Sequence, residues 1–299
     1  MLRNQARHWA NRWFRPAVWR PDQYAPRAIA LPDRHDRRPL DDLPSFAIVT
    51  PVLNQAAFIR AAIDSVLTQS YPRLAYVVQD GGSTDGTVDI LQSYGPSLDW
   101  VSLSDSGQAD AINRGFARVS GDIMAWLNGD DMFVPDTLAY VARFFRANPD
   151  VDLAYGHRIY IDVNGKETGR CVLPAHDRNA IRFADFIPQE TLFWRRRVWQ
   201  ALTPIDTSFD CAMDWDFILR AHGAGFSFRR LPRFLGCFRV HPAQKTIASQ
   251  AVSLAEMDLL RRRFFGREVT IDEIHRGIEM YLLRHVFLDR LYRLGVVNY

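Results

Sequence analysis

Two adjacent carboxylates, Asp130 and Asp131, follow the apolar run Ile123–Leu127 and the pair Asn128-Gly129. The run has the length of one buried strand, and Asn-Gly is a turn signal, so the acids stand at the strand's C-terminal edge. There they repel one another and lose hydration unless something positive lies between them. A divalent cation chelating phosphate oxygens would meet that need. Mg²⁺ and Mn²⁺ favour hard oxygen ligands and often use one or two carboxylates plus substrate phosphates. The other reading is that Asp130 and Asp131 cap the helix starting near Pro135.

A second string able to do chemistry is Asp80-Gly81-Gly82-Ser83-Thr84-Asp85-Gly86-Thr87. Its glycines let backbone approach a flat ligand, and Asp80 can accept hydrogen bonds from a base imide or amine. A calcium loop of the EF-hand order needs glycine at position six, where this string has Asp85. It lacks the GxxxxGK[ST] of a P-loop and the GxGxxG of a dinucleotide fold, so those chemistries are excluded.

The elements that must position these groups follow from hydropathy. Phe46–Thr50, Leu74–Val78, Leu98–Leu103 and Ile123–Leu127 read as strands. Between them Ala56–Gln69, a short segment to Tyr94 and Gln108–Val119 have helical spacing, and a further helix starts at Pro135 and ends before Asn148-Pro149. Such alternation predicts an α/β domain with a mostly parallel sheet covered on both faces. The loops after the strands then gather on one rim, which brings Asn54, Asp80, Asp105 and Asp130 together.

Beyond Asn148 the rhythm changes. Leu153–Gly156, Ile159–Val163, Asn164-Gly165 and a return through Cys171 predict a hairpin. Asp177–Phe183 reads as a helix, Thr191–Trp194 as a strand, Cys211–Arg220 as a helix entry, and Phe226–Leu231 and Leu235–Val240 as two strands. Ala248–Phe265 and Ile271–Leu294 have helical spacing, the latter packing on the domain or another subunit, or lying on a membrane surface.

Composition narrows the class. Hydrophobic residues make up 47% and charged residues 24% of the 299, ordinary globular values that allow a sizeable core. A net charge of +3 is too mild to argue for nucleic acid. Nearly all the basic residues are arginine; Lys166 and Lys245 are the lysines. Cys171, Cys211 and Cys237 are widely spaced and form no CxxC, which speaks against a disulfide framework or zinc cluster and for a reducing compartment. No apolar run approaches the ~20 residues of a membrane span and no signal-peptide core is present, so a cytoplasmic protein is expected, with peripheral contact to the membrane's inner face left open. Residues 1–44 interleave Trp9, Trp13, Phe14 and Trp19 with five arginines and continue into a proline-rich, charged stretch. They read as an arm packed on the domain or as an interfacial anchor.

Five strings in register carry a resemblance: Thr50-Pro51-Val52-Leu53-Asn54, Gln69-Ser70-Tyr71-Pro72, Asp80–Thr87, Gly107–Gly115 and Leu127–Asp131. Together they resemble the family 2 glycosyltransferases of GT-A fold, over about residues 45–242, and in particular the bacterial polysaccharide and glycan-assembly branch. The resemblance implies a 45–245 glycosyltransferase domain, its nucleotide-binding half at 45–150 and acceptor half at 151–245, between the 1–44 arm and a 246–299 helical extension. It implies that Thr50, Pro51, Asn54 and Asp80 hold the nucleotide base, and that Asp110, Asn113 and Arg114 line the ribose, diphosphate or sugar. Asp130 and Asp131 resemble the family's DxD element, with Asn128 in place of its usual first acid. One of the two would contact ribose or sugar and one the metal, Mn²⁺ or Mg²⁺. Asp214-Trp215-Asp216 resembles the acceptor-side acidic segment, with Met213 replacing the usual Glu; Asp214 is the implied base, Asp216 second, and Trp215 a possible contact. His241, in Phe238-Arg239-Val240-His241, would complete the metal shell or touch the diphosphate. Gln189-Glu190-Thr191 resembles a donor or acceptor contact.

The Gln-x-x-Arg-Trp signature of the processive synthases is absent, which points to transfer of single sugars. The expected reaction is an inverting, metal-dependent transfer, hexosyl in type, from a nucleotide-diphosphate sugar to a glycan or lipid-linked acceptor hydroxyl. Oligomerisation through the C-terminal helices is a further possibility. Two other classes remain open at this point: a nucleotide-sugar-binding scaffold without catalysis, and a metal-dependent nucleotidyltransferase or phosphotransferase.

Overall fold

The computed structural model describes Ala17 and residues 20–32, 42–245 and 249–299. The aromatic and arginine residues at 3–19 and the charged run at 33–38, on which the two readings of the arm rest, lie outside the described residues.

The first half follows the expected alternation. Strands β1 (Phe46–Val52), β2 (Leu74–Asp80), β3 (Asp99–Ser102) and β4 (Ile123–Trp126) pair in parallel in the order β3-β2-β1-β4. β1 is buried along its whole length, as its run of apolar and β-branched residues demands. Helices α1 (Ile59–Leu67), α2 (Thr87–Ser93) and α3 (Gln108–Arg118) connect them. On α1, Ile59, Ala62, Ile63 and Val66 turn inward at helical spacing. Because all four strands run the same way, the loops after them open on one edge.

Helix α4 (Thr137–Ala147) begins two residues later than Pro135 suggests, after Asp136 at φ 62°. A two-residue strand, β5 (Met132–Phe133), precedes it and was not legible from hydropathy. Strand β6 (Leu153–Ile161) is continuous where two segments were expected, and forms the predicted hairpin with β7 (Glu167–Cys171) across Gly165, at φ 75°. The expected helix at 177–183 is only a turn at Ala180–Arg182, and Thr191 belongs to another such turn, Gln189–Thr191, before β8 (Phe193–Arg195). Helix α5 (Arg196–Leu202), also unforeseen, leads to α6 (Met213–Gly223).

The two strands expected between 226 and 240 are one, β9 (Phe228–Arg239). Pro232, which cannot donate to a ladder, falls where the β6–β9 register shifts. The nine described strands form a single sheet in the order β3-β2-β1-β4-β8-β6-β9-β5, with β7 on β6. Most of its paired length is parallel, as the sequence implied. Trp126 meets both Trp194 and Phe217 edge-on in the core, with the Trp126 and Trp194 centroids 5.4 Å apart.

Helices α7 (Gln250–Phe265) and α8 (Ile271–Arg293) close the chain against the second half. Thr270 and Glu273 form a reciprocal capping box at the start of α8. Tyr281 stacks on Phe186 with ring centroids 4.0 Å apart, and Arg261 Nε donates to the Phe183 carbonyl (2.8 Å). No helix among the described residues is long and apolar enough to cross a membrane.

Candidate active site

The edge where β1 to β4 end opens on a cavity of about 540 Å³. Its walls come from both halves of the chain: Pro51, Val52 and Leu53 after β1, Asp105 to Gln108 after β3, Asn128 to Asp131 after β4, then 185–190 and 210–214.

Asp130 and Asp131 face this cavity and do not cap α4. The short pairing of β5 with β9, Met132 opposite Cys237, sets the loop beside the end of β9. There the Arg239 backbone N–H donates to Asp131 Oδ1 (3.0 Å) and the Arg239 Nε to the Asp130 carbonyl (2.8 Å). His241 Nε2 lies 3.0 Å from Asp130 Oδ2. Asn128 accepts from Gln108 Nε2 (2.7 Å) through its side-chain oxygen. Burial first, then the charges of Asp130 and Glu190, raise the Asp131 carboxyl well above the usual range. The group is short of positive charge.

Among the described residues no cluster of three or more His, Cys, Asp or Glu side chains is arranged as a metal site. The donor chemistry nevertheless suits a hard divalent cation, since His241 lies on Asp130 and the adjacent Asp131 carboxyl is raised by burial and by neighbouring acids.

Across the cavity, Asp214 occupies the first turn of α6. Its Oδ1 accepts from the Trp215 N–H (2.8 Å), while desolvation lifts the carboxyl from 3.8 to about 6. Glu256 of α7 holds the approach to this helix, accepting from the backbone N–H groups of Asp210 (2.7 Å), Cys211 (2.8 Å) and Ala212 (2.8 Å). Asp185 lines the same cavity, and its buried Oδ1 has no hydrogen-bond partner among the described residues. Desolvation and then the Asp214 charge push its carboxyl well up. Between the two acidic groups, Glu190 is gripped by Arg158 through Nε to Oε1 (2.8 Å) and Nη2 to Oε2 (2.6 Å). Gln189 also lines the wall, its Nε2 donating to the Trp126 carbonyl (2.8 Å).

Other residues singled out by sequence lie elsewhere. Thr50 is buried in β1 with its hydroxyl 3.0 Å from that of Tyr76. Asp80 is buried too, accepting from the N–H groups of Gly82 and Ser83 (both 3.0 Å) and the hydroxyls of Ser102 (2.6 Å) and Ser83, so it shapes the glycine loop from within. Asn54 ties that loop to β1 by accepting from the Thr84 N–H (2.8 Å). On α3 it is Gln108 and Ala111 that reach the cavity. Asp110 and Arg114 pair with one another at 2.7 Å, and the Asn113 amide is bonded in both directions to the Ile205 backbone. Trp215 is buried with its indole N–H on the Ile181 carbonyl (2.9 Å), and Asp216 pairs with Arg220 (2.7 Å). Neither lines the cavity.

Sequence reasoning missed Asp185, Arg158 and Glu256. Asp185 sits in an irregular segment, Arg158 within a strand and Glu256 alone on a helix, and none is part of a motif. A buried-strand arginine is the one signal that invited a search for a partner acid.

Set beside known proteins, residues 47–209 match the family described as Glycosyl transferase family 2. A PGL/p-HBAD biosynthesis glycosyltransferase of Mycobacterium bovis is 34% identical over 182 residues, covering 59% of this chain and 69% of that protein. An uncharacterized glycosyltransferase of Rickettsia typhi is 31% identical over 118 residues, 39% of this chain and 37% of its relative. The structure of S. aureus TarS 1–349 in complex with UDP-GlcNAc superposes with a TM-score of 0.56 at 14% identity, covering 84% of this chain and 92% of the other. The mannosyltransferase PcManGT of Pyrobaculum calidifontis, in complex with GDP-Man and Mn²⁺, gives 0.56 at 19% identity, covering 95% and 76%. At these identities the structural likeness speaks for the fold, which is GT-A. The family match runs from β1 through every loop of the parallel rim and takes in more than half of the chain, so this protein belongs to glycosyl transferase family 2.

Proposed function

We propose that the protein transfers a single sugar, with inversion, from a nucleotide-diphosphate sugar to an acceptor hydroxyl in bacterial polysaccharide or glycolipid assembly. The observation that carries this is Asp214, a carboxylate lifted to about 6 by burial, on the wall of the cavity that Asp130 and Asp131 also face. At neutral pH most of it is ionised, yet it binds a proton more tightly than an ordinary aspartate. That suits a general base taking the acceptor proton as the oxygen attacks the anomeric carbon.

The donor would lie along the rim, its base against Pro51–Leu53 and the glycine loop that Asp80 and Asn54 hold in place. The N-terminus of α3, which opens at Gln108, faces the cavity and favours the negative diphosphate. Asp131, Asp130 and His241 would hold Mn²⁺ or Mg²⁺, whose chemistry when bound is to offset charge building on the leaving diphosphate. Asp110 and Arg114 would keep the entry to α3 rigid. Gln189 and the Glu190–Arg158 pair would orient the sugar between the two acidic groups. Support for the donor class comes from the nucleotide sugars bound by TarS and PcManGT, and for glycan assembly from the names of the mycobacterial relatives.

Incubation with a panel of nucleotide sugars and Mn²⁺ tests this through its products. Release of nucleoside diphosphate with an inverted anomeric centre in the product is expected. Pyrophosphate release would instead mean nucleotidyl transfer, and nucleotide-sugar binding with neither transfer nor hydrolysis would mean a scaffold.

A further inference from the structure

Helix α8 has two apolar faces. One carries Ile278, Tyr281 and His285 inward against the second half of the domain. The other carries Met280, Leu283 and Phe287, continued by Leu294 at the C-cap, which recur at helical spacing on the opposite side and are 56%, 57%, 64% and 77% exposed. Packing on the domain, the default for an amphipathic helix, is already satisfied by the first face and leaves the second without a role.

We propose that this second face of α8 seats the protein on an anionic phospholipid surface. Arg276, Arg284 and Arg290 border the stripe, Arg284 also reaching Asp177 at 3.2 Å, and past the acidic first turn Glu279 is the acid on that half of the helix. Apolar side chains between arginines suit the boundary between acyl chains and anionic headgroups. The stripe also fits a second copy poorly. A two-fold antiparallel pairing centred on Phe287 would set Arg284 and Arg290 against one another across the interface.

Two further features place this surface. The described part of the N-terminal segment runs to the end of α8, where Arg293 Nη2 donates to Gln23 Oε1 (2.5 Å), and the Gln23 and Tyr24 N–H groups donate to the Thr168 carbonyl of β7. The sequence preceding it, with Trp9, Trp13 and Trp19 among arginines, is composed as a second contact with the same kind of surface. On its inward side α8 stacks Tyr281 on Phe186, which lines the cavity next to Asp185. A lipid surface held on α8 is therefore about one helix diameter, roughly 10 Å, from the wall of the cavity.

Co-sedimentation of the full chain with vesicles tests the proposal. One set would be phosphatidylcholine alone, the other with about a third phosphatidylglycerol. Binding to the anionic set is expected, reduced by added salt and weakened at least about tenfold in the Leu283→Glu/Phe287→Glu double variant. Both sites are exposed, and an unchanged circular dichroism melt would show that the fold survives. A Trp9→Ala/Trp13→Ala variant separates the arm. If it abolishes binding while the α8 variant binds like the parent, the helix is not the seat. Equal binding to both vesicle sets, no binding to either, or a concentration-dependent dimer that the α8 variant loses would also overturn the proposal.

Discussion

Asp185 and Asp214 face one cavity, and after burial it is the Asp214 charge that lifts the Asp185 carboxyl. Two neighbouring acids in such a site divide the roles of charged and neutral group. In the proposed reaction Asp214, lifted to about 6, is the base, and Asp185, whose carboxyl burial and the Asp214 charge push well up, is placed to hydrogen-bond the acceptor or its sugar. Asp214→Asn should lower turnover by about 10³-fold or more with donor affinity nearly unchanged. Asp185→Asn keeps a donor and should cost about tenfold, chiefly in acceptor KM. Near-normal turnover of Asp214→Asn would remove it as the base.

The same pKa links activity to pH. Turnover should rise through a midpoint near 6 as Asp214 loses its proton, measured as initial rates at saturating donor. Stability runs the other way. A carboxyl raised from 3.8 to about 6 in the folded state contributes stability that is present below the unfolded value and lost as pH rises through the folded one. Asp214→Asn should thus stabilise the protein by about 1–3 kcal/mol near pH ~8 and by almost nothing near pH ~3.5, as read from denaturant titrations. An inactive variant more stable than its parent only at the higher pH is the expected signature.

Asp131→Ala should weaken binding of nucleoside diphosphate in Mn²⁺ and abolish the difference that EDTA makes, by isothermal titration. A parent protein whose titrations are identical with and without EDTA would remove the metal from the site.

Glu256 does not line the cavity but binds three N–H groups ahead of the helix that bears Asp214. Glu256→Ala should lower kcat by about tenfold and stability by about 1–2 kcal/mol, with donor Kd unchanged, whereas Glu256→Gln should recover part of both. A drop in donor affinity equal to the drop in kcat would show a general loosening instead.

Legibility followed chain distance. The parallel half could be read because each strand and helix is set by local periodicity, and β1 to β4 appear where hydropathy puts them. Its motif residues were harder to assign. Asp80 stands among glycines and Asn54 closes a motif string, so both read as ligand contacts, and in the structure both side chains accept from backbone N–H groups of the glycine loop. Asp110, Asn113 and Arg114 share a motif with Gln108, but a helix turns about 100° per residue, so only part of that string can face the cavity. The second half was misread where tertiary pairing overrode local signals. Pro232 and Gly156 look like breaks, yet β9 and β6 run through both; a Cβ on Gly156 would stand 2.6 Å from the Arg233 carbonyl. Asp185 and Glu256 carry no local signal, because their meaning comes from groups distant in sequence.

The bond from Arg239 N–H to Asp131 spans 108 residues. Ordering the Asn128–Asp131 turn in its final form therefore requires the intervening chain to have collapsed, and loop closure over such a length carries an entropic cost that local turns escape. The parallel half can settle by near-neighbour contacts, whereas the acidic turn should gain protection only once β9 has docked. In hydrogen exchange during refolding, the Arg239 amide would then be among the last to slow, with the ligand site maturing after the scaffold that carries it.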